Sequence, residues 1–228
     1  MRLLRRARSS ARAESAGALL AALITSAAAI ALPLSLDEIA AVCGGGAGPE
    51  NCARRIEAVQ LKRLPDLARR DGARLTVSLY PSGTTTFADV DTPSGERTYS
   101  LYDYVSEINA VVLYVTDGAD SSFALLQRAT GIETPLPADP HLSPDRQNLL
   151  TADFCAEHCA SELAVWRVTR DGVRKTLAWR PREPWIDAAA TWKDANTIAI
   201  EYTPAGQQKT GALERRLSDA DWIRFPAP

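Results

Sequence analysis

Short stretches of alternating apolar and polar residues, separated by glycine-containing turns, dominate the chain from residue 74 onward. The first stretch is RLTVSLY, and the turn PSG links it to a second, TTTFADV. Alternation with a period of two is typical of half-buried β-strands, and a short turn between two such stretches predicts a hairpin. Repetition of this pattern about every 8–12 residues predicts an all-β, antiparallel fold.

The later strands follow the same pattern. They are NAVVLYV, SFALLQR, QNLLTADF, ELAVWRV, VRKTLAW, TIAIEY, ALERRL and WIRF. No helix of ordinary length fits between them, which disfavours a parallel α/β sheet. We expect up to four blade-like units, at 74–103, 109–136, 146–180 and 187–225, arranged as propeller-like or sandwich sheets.

Residues 32–73 precede the all-β domain at 74–228 and hold a glycine-rich lead followed by one short amphipathic helix. Apolar residues recur near helical spacing, and charged residues occupy the other positions. The apolar residues are Ile56, Val59 and Leu64, and the charged ones are Arg54, Arg55, Glu57, Lys62 and Arg63. Pro49 suits the first turn of this helix, and Pro65 should end it.

The N-terminus, residues 1–31, has the composition of an export signal. Five arginines precede an uncharged apolar run at 16–36, in which Ala29-Ile30-Ala31 is the best cleavage exit and Ala27-Ala28-Ala29 the second. A basic start, an apolar centre and a small-x-small exit are typical of a secretory signal peptide. The run approaches the ~17–20 residues of a spanning helix, so an uncleaved membrane anchor is the alternative. We expect a periplasmic or secreted protein, or one anchored in the inner membrane if the segment is retained.

The charge balance disfavours nucleic acid as a partner. The chain has 26 basic and 28 acidic residues; 21 and 27 of these follow residue 31, a net charge of −6. No run of lysine or arginine offers the basic face that phosphate contacts require. No apolar run after residue 36 is long enough to span a bilayer, so we expect membrane contact only through the N-terminal segment.

Four cysteines are the strongest local signal: Cys43, Cys52, Cys155 and Cys159. An even number of cysteines in an exported chain predicts disulfides. We expect the local pairs Cys43–Cys52 and Cys155–Cys159, although the sequence leaves open a connectivity that ties the helix to the sheet.

A metal site or a redox dithiol at these cysteines is the alternative chemistry. The spacing Cys155-x₃-Cys159 is acceptable for zinc, but His158 is adjacent to Cys159, and neighbouring residues rarely converge on one ion. The other histidine, His141, lies at a predicted strand entry. A redox pair usually reads C-x-x-C at a helix start. We therefore expect no metal ligands and no cofactor.

No catalytic motif is present. The chain lacks a G-x-S-x-G elbow, an H-E-x-x-H helix and a G-x-x-x-x-G-K loop, so we assign no catalytic or cofactor-binding residue. TDGADSS, at 116–122, contains two aspartates, but an Asp-Gly hairpin turn explains it better than a calcium loop. Paired carboxylates could cleave glycans, yet nothing in the sequence singles out two of them.

The tryptophans offer one candidate contact for a partner. All five follow residue 165, and Trp166 lies in an apolar strand. Trp185, in REPWID, lies in a proline-bracketed loop, where an exposed ring could stack on a sugar or anchor a partner. Burial between sheets is the interpretation we favour, because tryptophan is usually largely buried.

Two weakly repeated segments carry a resemblance to a known family. DPHLSPDRQNLLTA (139–152) aligns with DAAATWKDANTIAI (187–200). PHLSPDRQNLL resembles the TolB-type β-propeller repeat, in which Ser-Pro-Asp-Gly makes the turn into a blade strand; Arg146 replaces the usual glycine. The opening NCARRIEAVQLKRLPDLARRDGARLTVSLYPSG resembles that of small exported bacterial proteins without assigned activity.

These resemblances imply location and fold but no chemistry. Propeller-like relatives serve as protein-docking scaffolds. We therefore expect an exported binding or interaction protein without catalytic activity, whose partner is an envelope protein or a glycan. The alternative is a hydrolase that acts on envelope glycans through two carboxylates.

The first prediction concerns export. Residues 1–40 fused to a reporter that is active only outside the cytoplasm should give an active reporter, because the segment has the features of a signal or anchor. The mature chain's mass then separates cleavage after Ala31 from a retained anchor. Activity confined to a reporter that works only in the cytoplasm would contradict the prediction.

Overall fold

The computed structural model of the protein describes residues 34–44, 48–92, 95–118, 120–207 and 209–226. The predicted signal or anchor at 1–31 lies outside these residues. Within the described ranges, no helix is long and apolar enough to cross a membrane.

Four antiparallel sheets follow one another along the chain, so the all-β prediction is confirmed. The first contains β1 (Ala68–Asp71), β2 (Arg74–Ser78) and β3 (Thr84–Ala88). The second contains β4 (Val90–Thr92), β5 (Gly95–Val105), β6 (Ala110–Asp117), β7 (Asp120–Gln127) and β8 (Ile132–Leu136). The third contains β9 (His141–Leu142), β10 (Asn148–Asp153), β11 (Glu162–Thr169), β12 (Gly172–Trp179) and β16 (Ile223–Arg224). The fourth contains β13 (Trp185–Trp192), β14 (Thr197–Pro204) and β15 (Gly211–Arg216).

Consecutive sheets pack against each other through separate apolar cores. Leu75 and Leu113 belong to the core between the first and second sheets. A smaller core, which includes Leu125 and Trp166, joins the second sheet to the third. The third and fourth sheets share a core that includes Ile198. Each central sheet therefore buries both of its faces, as the near-continuous apolar sequence of β6 indicates.

The predicted units match the four sheets in number but not in their bounds. The unit at 74–103 spans the first sheet and part of β5, and β1 lies before residue 74. WIRF was expected in the fourth unit, but β16 pairs with β12 of the third sheet, with Ile223 opposite Ala178. This return is anchored by Trp222, which is buried in the core between the third and fourth sheets.

Within the described part of the chain, two helices precede the sheets, where the sequence predicted one. Helix α2 (Pro49–Arg63) is the predicted helix, with Pro49 in its first turn and an end just before Pro65. The additional helix, α1 (Leu36–Cys43), begins with a capping box between Ser35 and Glu38. Reciprocal side-chain and backbone bonds of this kind stabilise even a short helix at its start.

The buried face of α2 is more polar than its apolar spacing predicted. Its buried residues are Ala53, Ile56, Glu57 and Gln60, whereas Val59 and Leu64 are only partly buried. The spacing placed Glu57 away from the apolar side of the helix, yet this residue is buried and only 3 % exposed. Glu57 and Gln60 face the edge of a strand, where polar groups have backbone partners.

Side chains occupy the free edge of β5. Strand β4 pairs only with residues 95–97 of β5. Further along, the Leu101 N–H donates to Glu57 Oε2 at 2.9 Å, and the Tyr102 carbonyl accepts from Gln60 Nε2 at 2.9 Å. Because an unpaired strand edge is a template for association and a buried polar group needs a partner, α2 replaces an edge strand here.

Ion pairs join α2 to the first sheet at this edge. Arg70 of β1 contacts Glu57 at 2.7 Å and Asp89 at 3.1 Å, and Arg54 contacts Asp89 at 2.5 Å. Arg54 and Arg70 both donate to the Tyr99 carbonyl, and the Tyr99 N–H donates to Asp89 Oδ1 at 2.9 Å. The helix, the first sheet and β5 therefore share one charged network.

The second prediction tests this network. Glu57→Gln should lower the free energy of unfolding by about 2–4 kcal/mol, because it leaves the partly buried guanidinium of Arg70 without its charged partner on buried Glu57. Glu50→Gln, an exposed change in the same helix, should cost less than about 0.5 kcal/mol. Urea denaturation of both variants is the measurement, and equal effects would contradict the role of Glu57.

Candidate functional site

A β-bulge in β5 forms the centre of the candidate site. The register with β6 shifts between Leu101, opposite Leu113, and Asp103, opposite Val112, so that Tyr102 is the extra residue. As a result, Leu101 and Tyr104 both contribute to the core between the first and second sheets although they are three residues apart. A bulge re-aims the side chains around it, and bulges are frequent beside functional sites.

Three aromatic rings meet on the face of the second sheet that turns toward the third. The ring of Tyr102 lies 5.0 Å from that of Phe123 and 6.4 Å from that of Tyr114, measured between centroids. Tyr114 and Phe123 are 5.1 Å apart. All three are half-buried. Their edge-to-face contacts fix the orientation of Tyr102.

Two carboxylates adjoin these rings. Asp139, in the connection from β8 to β9, accepts a hydrogen bond of 2.9 Å from the Tyr102 hydroxyl. Asp103, next to the bulge, accepts one of 3.3 Å from Gln60 Nε2. We call the set of Tyr102, Asp103, Tyr114, Phe123 and Asp139 the acidic–aromatic cluster.

The cluster holds its acids where ionisation is unfavourable. Burial raises the pKa of Asp139, although His141 and the bond from Tyr102 partly oppose this. Burial also raises the pKa of Asp103, and the charge of Asp139 adds to the effect. The pKa of the Tyr102 phenol is raised well above its usual value, first by burial and then by Asp139. Desolvation raises the pKa of all three groups, and neighbouring carboxylate charges add to this for Tyr102 and Asp103.

Two buried polar atoms beside the cluster have no hydrogen-bond partner among the described residues. One is Gln60 Oε1, on the side chain that donates to Asp103. The other is Ser100 Oγ, whose residue lies opposite Tyr114 in the β5–β6 pairing. Buried polar groups are nearly always paired, so both atoms retain hydrogen-bonding capacity that the described residues do not use.

The cysteines form the two predicted local disulfides. Cys43 and Cys52 join α1 to α2, and Cys155 and Cys159 close the loop between β10 and β11. Both thiols of the second pair are therefore consumed, and the side chain of His158 is 80 % exposed. The described residues contain no group of three or more His, Cys, Asp or Glu that could hold a metal. Two disulfides indicate an oxidising, non-cytoplasmic location.

Trp185 is not an exposed binding contact. It begins β13 instead of lying in a loop, and it is 5 % exposed. Its ring stacks on Tyr202 at 4.0 Å and packs against Trp179 at 5.4 Å and Phe154 at 5.2 Å. Burial between sheets, the favoured interpretation, is confirmed for Trp185, and Trp166 is also buried. Neither ring belongs to the acidic–aromatic cluster.

The acidic–aromatic cluster was not predicted from the sequence. A signal was nevertheless present in SLYDYV, where Leu101 and Tyr102 stand side by side and interrupt the alternation. Such a break indicates a bulge, but it does not indicate that Asp139, 36 residues beyond Asp103, meets it.

No protein-family model, no curated protein and no solved structure matches the chain.

The structure reproduces one local feature of the repeated segments. Asp145 accepts a bond of 3.1 Å from the N–H of Gln147, and Asp194 accepts one of 2.7 Å from that of Asn196. Both are Asx-type turns that lead into a strand. Arg146, at the position where the TolB-type repeat has glycine, adopts a left-handed φ of 61°.

The third prediction concerns the Cys155–Cys159 disulfide. Replacing both residues with serine should lower stability by at most about 2 kcal/mol and leave the fold intact, because the closed loop is short. Peptide mapping without reduction should show this pair, and elemental analysis should find no zinc. Stoichiometric zinc that is lost together with structure on chelation would contradict the prediction.

The fourth prediction uses the pH dependence of stability. The raised pKa of Asp103 and of Asp139 means that their stabilising contribution is complete below the unfolded value, ~3.9, and is lost as pH rises through the folded value. Asp103→Asn and Asp139→Asn should therefore become more stable relative to wild type between pH 3 and pH 7.

A matched control, Asp145→Asn, should show the opposite change of stability with pH. Bonds from Ser143 and the Gln147 N–H lower the pKa of Asp145, so its contribution is present above the unfolded value and is lost on acidification. Asp145→Asn should become less stable relative to wild type over the same pH range. Denaturant unfolding at each pH is the measurement, and the same trend in all three variants would refute the assignment.

Proposed function

We propose that this protein is an exported binding protein of the bacterial periplasm or envelope, and that the acidic–aromatic cluster is its binding surface. Export is supported by the basic and apolar N-terminal sequence and by two disulfides. Docking of a partner protein or a glycan is supported by the resemblance of PHLSPDRQNLL to repeats of propeller-like scaffolds.

The two half-buried carboxylates are the reason to choose this surface. Asp103 and Asp139 lie half-buried beside a bulge, with pKa values that burial raises. This arrangement costs stability at neutral pH, and perturbed carboxylates of this kind concentrate at functional sites. The three half-buried rings next to them add the aromatic surface that binding sites favour.

A hydrolase is the second candidate, and the same two carboxylates support it. A raised pKa suits a general acid that protonates a glycosidic oxygen. The partner carboxylate of such an enzyme must stay ionised, however, and here burial raises the pKa of both groups. The cluster therefore supports binding better than it supports glycoside cleavage.

The fifth prediction separates these functions. Immobilised wild-type protein should capture a partner from envelope extract, and Asp120→Asn, an exposed change at the start of β7, should capture it equally. The double variant Tyr102→Phe with Asp139→Asn should lose capture, because it removes both the hydroxyl bond and the charge.

Two results would contradict this assignment. Equal capture by all three proteins would place binding elsewhere and reject the cluster as the surface. Release of reducing ends from envelope glycans by wild type and by Asp120→Asn, with loss in Asp139→Asn, would instead establish the hydrolase.

A further inference from the structure

We infer that the acidic–aromatic cluster recognises an organic cation, namely a guanidinium or primary ammonium group. This inference rests on the proposed function and names the chemistry of its ligand. The cation has two natural sources, an arginine or lysine side chain of a partner protein and a free polyamine.

The hydrogen-bonding groups of the site are mainly acceptors, which favours a ligand that brings donors. Two carboxylates offer about four acceptor positions each. Among the described residues, Asp139 accepts one bond, from the Tyr102 side chain, and Asp103 accepts two, from the Gln60 side chain and from the Tyr104 backbone. Gln60 Oε1 is a further buried acceptor without a partner. A guanidinium group brings five N–H donors and an ammonium group brings three, so either matches an acceptor-rich site.

The charges around the cluster favour the same ligand. Asp103 is influenced by the negative charges of Asp139 and Glu107, and the one basic group that acts on Asp139 among the described residues is His141, an exposed side chain. An anion would meet like charge here. A bound cation would instead favour the ionised carboxylates and offset the cost of their burial.

The aromatic rings add a second contact for a cation. The faces of Tyr102, Tyr114 and Phe123 are half-buried beside the carboxylates, and a cation over such a face is attracted by the ring quadrupole. The same strand already uses this contact on its opposite face, where the Arg128 guanidinium lies 5.5 Å from the centre of the Tyr104 ring. That internal pair shows that strand β5 presents tyrosine to guanidinium.

Ser100 adds a polar atom beside the rings. Its hydroxyl is unpaired and its residue is 1 % exposed, directly opposite Tyr114 in the sheet. A hydroxyl accepts as well as donates, so it offers one more acceptor to a ligand that inserts beside Tyr114. This unpaired hydroxyl is an observation independent of the carboxylates.

The test is a titration of the protein with three probes at pH 7, followed by NMR of the tyrosine ring signals and by calorimetry. The probes are arginine amide, spermidine and a neutral oligosaccharide. We expect saturable binding of a cation, weakened at least tenfold by Asp139→Asn and by Asp103→Asn, and weakened by 0.5 M salt. Asp120→Asn should bind as wild type does.

The relative affinities of the probes also identify the source of the cation. Tighter binding of arginine amide than of spermidine supports a partner protein, and the reverse order supports a free polyamine. Absence of saturable cation binding, or binding that all variants retain, overturns the inference. Binding of the neutral oligosaccharide alone also overturns it.

The outcomes distinguish this inference from the function on which it rests. If partner capture depends on Asp139 but neither cation binds, the binding surface stands and the cationic ligand is rejected. If a cation binds through Asp139 but capture does not depend on it, the ligand chemistry stands and the docking function at this surface is rejected.

Discussion

Strand β5 extends beyond its partner β4, and the backbone groups along that edge require hydrogen-bond partners. Helix α2 and the first sheet supply them with side chains. Glu57 and Gln60 reach the edge from the helix, and Asp89 and Arg70 reach it from the first sheet. A single strand edge thus fixes the helix, the first sheet and the second sheet relative to one another. Their ion pairs are partly buried, so removing one partner lowers the free energy of unfolding more than it would at the surface.

The candidate site follows from the same edge. Because no described strand pairs with the edge of β5 opposite β6 beyond residue 97, the strand can accommodate the bulge at Tyr102 without disrupting a second ladder. Gln60 binds the Tyr102 carbonyl and Asp103 together, so the helix also holds the bulge. The connection to the third sheet then brings Asp139 to the Tyr102 hydroxyl. The acidic–aromatic cluster therefore lies where the helix, the bulge and an inter-sheet connection meet.

Local periodicity explains which features the sequence predicted. Alternation and turn residues are properties of neighbouring residues, so the antiparallel sheets and the hairpin of β2 and β3 were predictable. The two short cysteine spacings made local disulfides the simplest pairing, and the structure confirms both.

Contacts between distant segments explain what was missed. Glu57 is buried because an unpaired strand edge 44 residues away needs an acceptor, and helical spacing carries no information about that edge. Trp185 was placed in a loop because Pro184 precedes it, yet it stacks on Tyr202 as the first residue of a strand. The contact of Asp139 with Tyr102 depends on how sheets stack, which the pattern of one strand does not encode.

The most direct measurement of the central claim is native-state hydrogen exchange at the Tyr99 and Leu101 amides. Both N–H groups point away from β6, and each donates to a carboxylate, of Asp89 and of Glu57 respectively. If side chains replace an edge strand, the two amides should exchange as slowly as the interior amides of β6, such as that of Val112. Exchange at the rate of an exposed strand edge would contradict the account.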